Sequence, residues 1–194
     1  EIQLPQAEQP MESYYVYGPD GEVTILSTAG EAISLAYEIS GTVTGESGAY
    51  VWRKDKINTK NQIMAIEASP VTEDKNSLAV CLDTILAYEG IMRNSEYMLT
   101  QGKTVQEVLQ ENLENVQVLD LSGCTLDSVL YYPDREIPVL AMLGDGNAVL
   151  IIGFNEKNVV LMNPETDKVY KMGMNDAADW FTENGCHFIS YVKK

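Results

Sequence analysis

Few side chains in this sequence can do nucleophilic or proton-transfer chemistry. There is one histidine, His187, and there are three cysteines, Cys81, Cys124 and Cys186. A thiolate within hydrogen-bond reach of an imidazole would make a thiol hydrolase or transferase. Cys186 and His187 are adjacent, but neighbours on an extended strand point to opposite faces, so the dipeptide is not a catalytic pair. His187 reads as a surface or edge-strand residue. Cys81 falls on the apolar face of a helix derived below, where cysteine behaves as a small hydrophobe. Cys124 sits in the turn Ser122-Gly123-Cys124-Thr125 and is expected to be the most exposed thiol. The odd number of cysteines gives no disulfide framework. Without Cys-x-x-Cys or His-Glu-x-x-His spacing, no zinc site is expected, and nothing else calls for a cofactor. Asp134, Glu136 and Asp145 lack the spacing of an EF-hand loop, and Asp145 reads as part of a hairpin turn.

These groups must be held by a fold of ordinary globular composition. The 194 residues are 45% hydrophobic and 22% charged, with a formal charge of -16 and a pI near 4.3. Both halves carry the acidic excess, so it is an acidic skin that favours solubility. Nucleic-acid phosphates and anionic membrane surfaces would be repelled. No apolar run reaches the ~18–20 residues of a membrane helix.

The pattern along the chain predicts an α+β protein. Residues 1–12, with Pro5 and Pro10, read as a linker or terminus. Residues 13–60 read as a small α+β unit. Its strands are Tyr14 to Tyr17 and Val23 to Leu26, then a helix capped by Ser27 or Thr28 and ended by Gly41. A hairpin pairs Thr42–Thr44 with Ala49–Arg53. Tyr14, Tyr15, Tyr17, Tyr50 and Trp52 pack inward or, by alternation, line a binding face. Residues 54–75 form a connector, with Ile63 to Ile66 the part expected to pack. Residues 76–115 read as helical: Leu78, Cys81, Leu82, Ile85 and Leu86 share one face, and Thr104-Val-Gln-Glu107 is a capping box. A short helix starts at Thr125. From 137 onward the period changes. Strands at 137–143, 148–154, 159–162, 169–172 and 187–192 are joined by short links that force antiparallel neighbours, with a helix at 176–182 before the last.

Local text adds a resemblance. Gly146-Asn-Ala-Val-Leu-Ile-Ile-Gly-Phe154 and Asn158-Val-Val-Leu-Met-Asn-Pro164 are similar to the paired strands of the bacteriocin-processing (double-glycine leader) peptidases, a branch of the papain-like cysteine peptidases. In that family the first strand carries the general-base histidine, and the second ends in an acid or amide that orients it. Ser77-Leu-Ala-Val-Cys-Leu-Asp-Thr-Ile-Leu-Ala-Tyr88-Glu-Gly90 resembles the family's nucleophile helix, and Ile137-Pro-Val-Leu140 its Gly-x-Pro-Val strand. The likeness spans roughly residues 70–192, within a papain-like domain expected over 61–194.

The resemblance implies a cleft around Ser77, Asn147 and Asn163, at the nucleophile, general-base and orienting positions. Only Asn163 is chemically compatible with its role, and the oxyanion glutamine falls near Val71. A serine hydroxyl needs a base to take its proton, and a carboxamide has no accessible pKa. Ser77 also stands where a helix N-cap belongs. The expected function is therefore that of a catalytically inactive homologue. It would bind a peptide or protein, or act as a scaffold, within an exported bacterial protein, secreted or at the cell surface. Two alternatives stay open: a thiol or serine hydrolase with a rearranged site, and a structural spacer.

Overall fold

The computed structural model describes residues 12–54 and 62–194. The linker expected over 1–12, apart from residue 12, and part of the connector therefore lie outside the described residues. The N-terminal elements follow the sequence closely: β1 (Tyr14–Tyr17), β2 (Val23–Leu26), α1 (Ala29–Ile39), β3 (Thr42–Thr44) and β4 (Tyr50–Arg53). They form an antiparallel sheet in the order β2-β1-β3-β4. Thr28 caps α1 by accepting the Glu31 N–H at 3.2 Å. The helix ends at Ser40, which takes a left-handed φ of 56°, one residue before the glycine expected to end it.

The aromatic group of this unit divides between two faces. Tyr14 and Trp52 are buried, whereas Tyr17 and Tyr50 are exposed. Trp52 donates from Nε1 to the Ser128 carbonyl at 2.9 Å, and Tyr132 donates its hydroxyl to the Val51 carbonyl at 3.1 Å. Gly30 of α1 meets the backbone at Leu121–Ser122 so closely that a Cβ there would stand 2.4 Å from the Ser122 oxygen. Only a glycine allows that helix to touch that loop. The buried side chains on both sides of these contacts form one hydrophobic cluster.

The remaining chain forms β5 (Gln62–Ile63), α2 (Ser77–Tyr88), α3 (Ser95–Thr100), α4 (Val105–Asn112), β6 (Val116–Asp120), α5 (Leu126–Val129), β7 (Val139–Gly144), β8 (Asn147–Phe154), β9 (Asn158–Asn163), β10 (Lys168–Gly173), α6 (Met174–Glu183) and β11 (His187–Lys193). The main sheet runs β10-β9-β8-β7-β11-β6, with β5 also paired to β8. This is the predicted α+β class with an antiparallel C-terminal sheet. Helix α2 packs across β8, burying Cys81, Leu82, Ile85 and Leu86. The connector packs through Met64 and Ile66, while Ile63 is exposed.

The stretch expected to be helical holds α2, α3 and α4, and after it comes a strand that the sequence reading did not include, β6, which pairs with β11. One expectation of exposure needs correction. Cys124 is buried, with its thiol 3.6 Å from the Gly30 carbonyl, because α1 closes over its turn.

Among the described residues no helix is long and apolar enough to cross a membrane.

Candidate functional site

The site implied by the three candidate positions is built by α2 and the hairpin β7–β8. Gly144, Asp145 and Gly146 take φ values of 90°, 53° and 75°, three consecutive left-handed residues that turn the chain sharply. The turn leans onto the N-terminus of α2. Leu78 donates its backbone N–H to the Gly146 carbonyl at 3.0 Å, so a helix-end donor with no partner inside the helix is satisfied by the turn. The left-handed φ favours glycine at 146, and a Cβ there would stand 2.4 Å from Asn76 Nδ2, so a larger residue would also have to displace that amide.

Ser77 is fully buried inside this contact. Its Oγ accepts the Ala148 N–H at 2.9 Å and donates to the Gly146 carbonyl at 3.4 Å. The hydroxyl is thus held between two main-chain groups, beside the irregular register of β7 and β8 at Met142 and Gly144. Ser77 is not the helix cap. That role belongs to Asn76, whose Oδ1 accepts the Ala79 N–H at 3.0 Å. Replacing Ser77 by alanine leaves the buried Ala148 N–H without this acceptor and is expected to lower stability by about 1–3 kcal/mol. Urea denaturation would measure it. A loss near zero would mean that the hydroxyl does not hold the hairpin to the helix.

Asn147, although between Gly146 and Ala148 in sequence, and Asn163 stand outside this buried contact. Together with Leu143, Glu165, Trp180 and Asn184 they line a recess of about 370 Å³ at the outer end of β8 and β9. Asn147 is exposed. Asn163 accepts the Glu165 N–H at 3.0 Å and donates to the Tyr170 hydroxyl at 3.4 Å, so its carboxamide is used in its own turn. Asn184 donates to the Trp180 carbonyl at 2.9 Å. The structure therefore brings two of the three candidate residues to one recess and seals the third behind the hairpin. Trp180 and Asn184 are additions that sequence reading missed. They come from α6 and the residue that caps its C-terminus, and only the folded chain sets that helix beside β9. Val71, near the expected oxyanion position, donates its backbone N–H to the Pro164 carbonyl at 3.3 Å, which ties the segment before α2 to the end of β9.

The other candidate groups do not converge on Ser77. His187 is exposed at the start of β11, with its imidazole lying over Gly185. It shares a row with Met142 and Ala148, two strands from β8, or about 10 Å at the usual strand spacing. Cys81 is fully buried, and desolvation pushes its thiol well above the ordinary range. Burial likewise pushes Cys124 up to about 11. Cys186 is the partly exposed thiol, 3.9 Å from the Thr182 hydroxyl. Among the described residues no group of three or more His, Cys, Asp or Glu is arranged to hold a metal ion.

Helices set against an antiparallel C-terminal sheet form an α+β arrangement consistent with a papain-like peptidase fold. A protein described as a C39-like peptidase from Bacillus anthracis aligns with a TM-score of 0.57 at 15% identity, over 70% of this chain and 98% of that one. The peptidase domain of Streptococcus ComA, a bifunctional ABC transporter involved in quorum sensing, aligns at a TM-score of 0.44 and 10% identity, over 66% of this chain and 96% of that one. No family model matches the chain. No curated protein matches it either. At such identities the first alignment shows a shared α+β fold.

Proposed function

We propose that this chain is a catalytically inactive papain-like peptidase homologue that binds an extended peptide or protein segment. The observation that carries this reading is the state of Ser77. At the position of the nucleophile stands a hydroxyl with no solvent exposure, engaged at both ends by Gly146 and Ala148. The base position is a carboxamide, Asn147, and the chain's single imidazole stands on another strand. Nothing in that arrangement can take the serine proton. The recess beside it keeps what recognition needs: the exposed Asn147 carboxamide, the hydrogen-bonding capacity that Asn163 and Asn184 do not spend on their own turns, and the half-buried Trp180 ring. An exported or cell-surface setting in a bacterial protein belongs to the same proposal and is supported only by the resemblance.

The test is calorimetric titration of the chain with a synthetic peptide carrying a double-glycine motif, followed by mass spectrometry of the peptide. Binding without cleavage is expected. Trp180→Ala should weaken it by about thirty-fold, the equivalent of about 2 kcal/mol for an aromatic contact. Cleavage that disappears in Ser77→Ala would instead make the chain a serine hydrolase. Absence of binding would favour the spacer reading.

A further inference from the structure

A sheet edge exposes unpaired N–H and C=O groups, and folded proteins protect such edges with charge, bulges or covering side chains. Among the described residues the strand orders end at β2 and β4 in the first sheet and at β10 and β6 in the second, with the two-residue β5 lying off that path beside β8. Three of those ends carry a recognisable protective device. On β6, the Gln110 carboxamide from α4 donates to the Val116 carbonyl at 2.9 Å and accepts the Val118 N–H at 3.0 Å, filling the place of a missing strand. On β4, the Tyr132 hydroxyl occupies the Val51 carbonyl, and the ladder to β3 is broken by a bulge. On β10, Lys168 and Lys171 are exposed.

The β2 edge has none of these. Its sequence is Val-Thr-Ile-Leu, with no charge and no proline. Among the described residues no strand or side chain pairs with its outer edge. Gly18 donates to the Glu22 carbonyl at 2.9 Å at the end of the β1–β2 ladder. Antiparallel alternation then bonds Val16 to Thr24 and Tyr14 to Leu26, leaving the N–H and C=O of Val23 and Ile25 directed outward. The side chains of these two residues are exposed, at 51% and 60%, as is that of Thr24 between them. Tyr17 and Tyr15 stand directly opposite them on β1, so the bare edge continues into an aromatic and aliphatic face. The turn at the end of the strand carries exposed Asp20 and Glu22.

We infer that β2 is a docking edge at which an extended segment of another polypeptide adds as a fifth antiparallel strand. The outward groups of Val23 and Ile25 supply four main-chain hydrogen bonds, the number two donors and two acceptors allow. Alternate β-branched or aromatic side chains of the partner cover Ile25, Val23 and Tyr17. The partner is basic at the end that meets Asp20 and Glu22. A chain of net charge -16 attracts such a segment and repels a second copy of itself. This surface is separate from the recess at Asn147 and Asn163 and does not depend on the function proposed for it.

The test uses the whole chain and a nine-residue peptide of alternating valine and threonine flanked by lysine pairs. Residue-resolved hydrogen exchange reads the amides of Val23 and Ile25. Both should exchange freely in the chain alone and about tenfold more slowly with peptide at ten times its Kd. The same peptide N-methylated at alternate backbone nitrogens keeps charge and side chains but cannot pair, and should give no slowing. Ile25→Pro removes one outward donor without touching the β1 ladder, so it should abolish binding while leaving the melting temperature close to that of the parent. Three results would overturn the inference. One is equal binding of the methylated peptide. Another is no binding by the unmodified one. The third is slow exchange in the free chain, with sedimentation then telling a second copy on the edge from self-coverage.

Discussion

Alkylation of the native chain with iodoacetamide at pH 8 is expected to label Cys186 and leave Cys81 and Cys124 intact. The thiolate is the reacting species, so reactivity follows both access and ionisation. Cys124 is closed in beneath α1, and burial raises its thiol to about 11. At pH 8 about one Cys124 in a thousand would be ionised even with full access. Cys81 has no solvent exposure and is pushed up further, by desolvation alone. Cys186 lies partly exposed just ahead of β11. In guanidinium all three should react alike. A native chain that labels fastest at Cys81 or Cys124, above all at pH 5–6, would show a live thiol site and defeat the inactive-homologue reading.

The same buried groups set an alkaline limit on stability. A thiol whose folded pKa lies above its unfolded value ionises first in the unfolded chain. Its contribution is complete below the ordinary value of 9.0 and for Cys124 is lost as pH rises toward about 11. Tyr132 and Tyr191, raised mainly by burial, act in the same direction above their ordinary value of 10.0. Stability should therefore fall between pH 9 and 11, and urea midpoints across that range would show it.

Trp52→Ala is expected to lower stability by about 3–5 kcal/mol, the range for removing a buried aromatic. Trp52 is fully buried, donates to the Ser128 carbonyl, and lies 6.3 Å from the ring centroids of both Tyr37 and Tyr131. Its removal opens a cavity at the contact between the first sheet and the loop that carries α5. The melting temperature should drop by about 10 °C for a chain of this size. Because the hydrophobic cluster is continuous, the transition should stay single. A first sheet that melts alone while the rest keeps its midpoint would show instead that residues 13–60 fold independently, as the boundary read from sequence would allow.

Much of the local structure was legible beforehand. Strands β1, β2 and β3 coincide with their predicted limits, since β-branched and aromatic runs bounded by Gly, Pro and Asp leave little choice. The capping box at Thr104 and Glu107 forms both of its hydrogen bonds. The missed strand β6 failed for a physical reason. Val116-Gln-Val-Leu-Asp is short, and its partner β11 lies at the other end of the sequence, so no local turn announces the pairing. Cys124 was misplaced for a similar reason. A Ser-Gly-Cys-Thr turn is polar by composition, and only Gly30, far away in sequence, allows α1 to cover it.

By itself the sequence determined the chemistry available at each position: a hydroxyl at Ser77, carboxamides at Asn147 and Asn163, and a single imidazole at His187. No packing can turn an asparagine into a general base. Tertiary structure decided which of these groups meet. It put Ser77 under the Gly146 turn, joined Asn147 and Asn163 to Trp180 in one recess, and left β2 as the sheet end without a protective device among the described residues. Reactivity is a property of atoms and is written in residue types. Proximity is a property of long-range packing, where a glycine at 30 or 146 matters because of what lies against it.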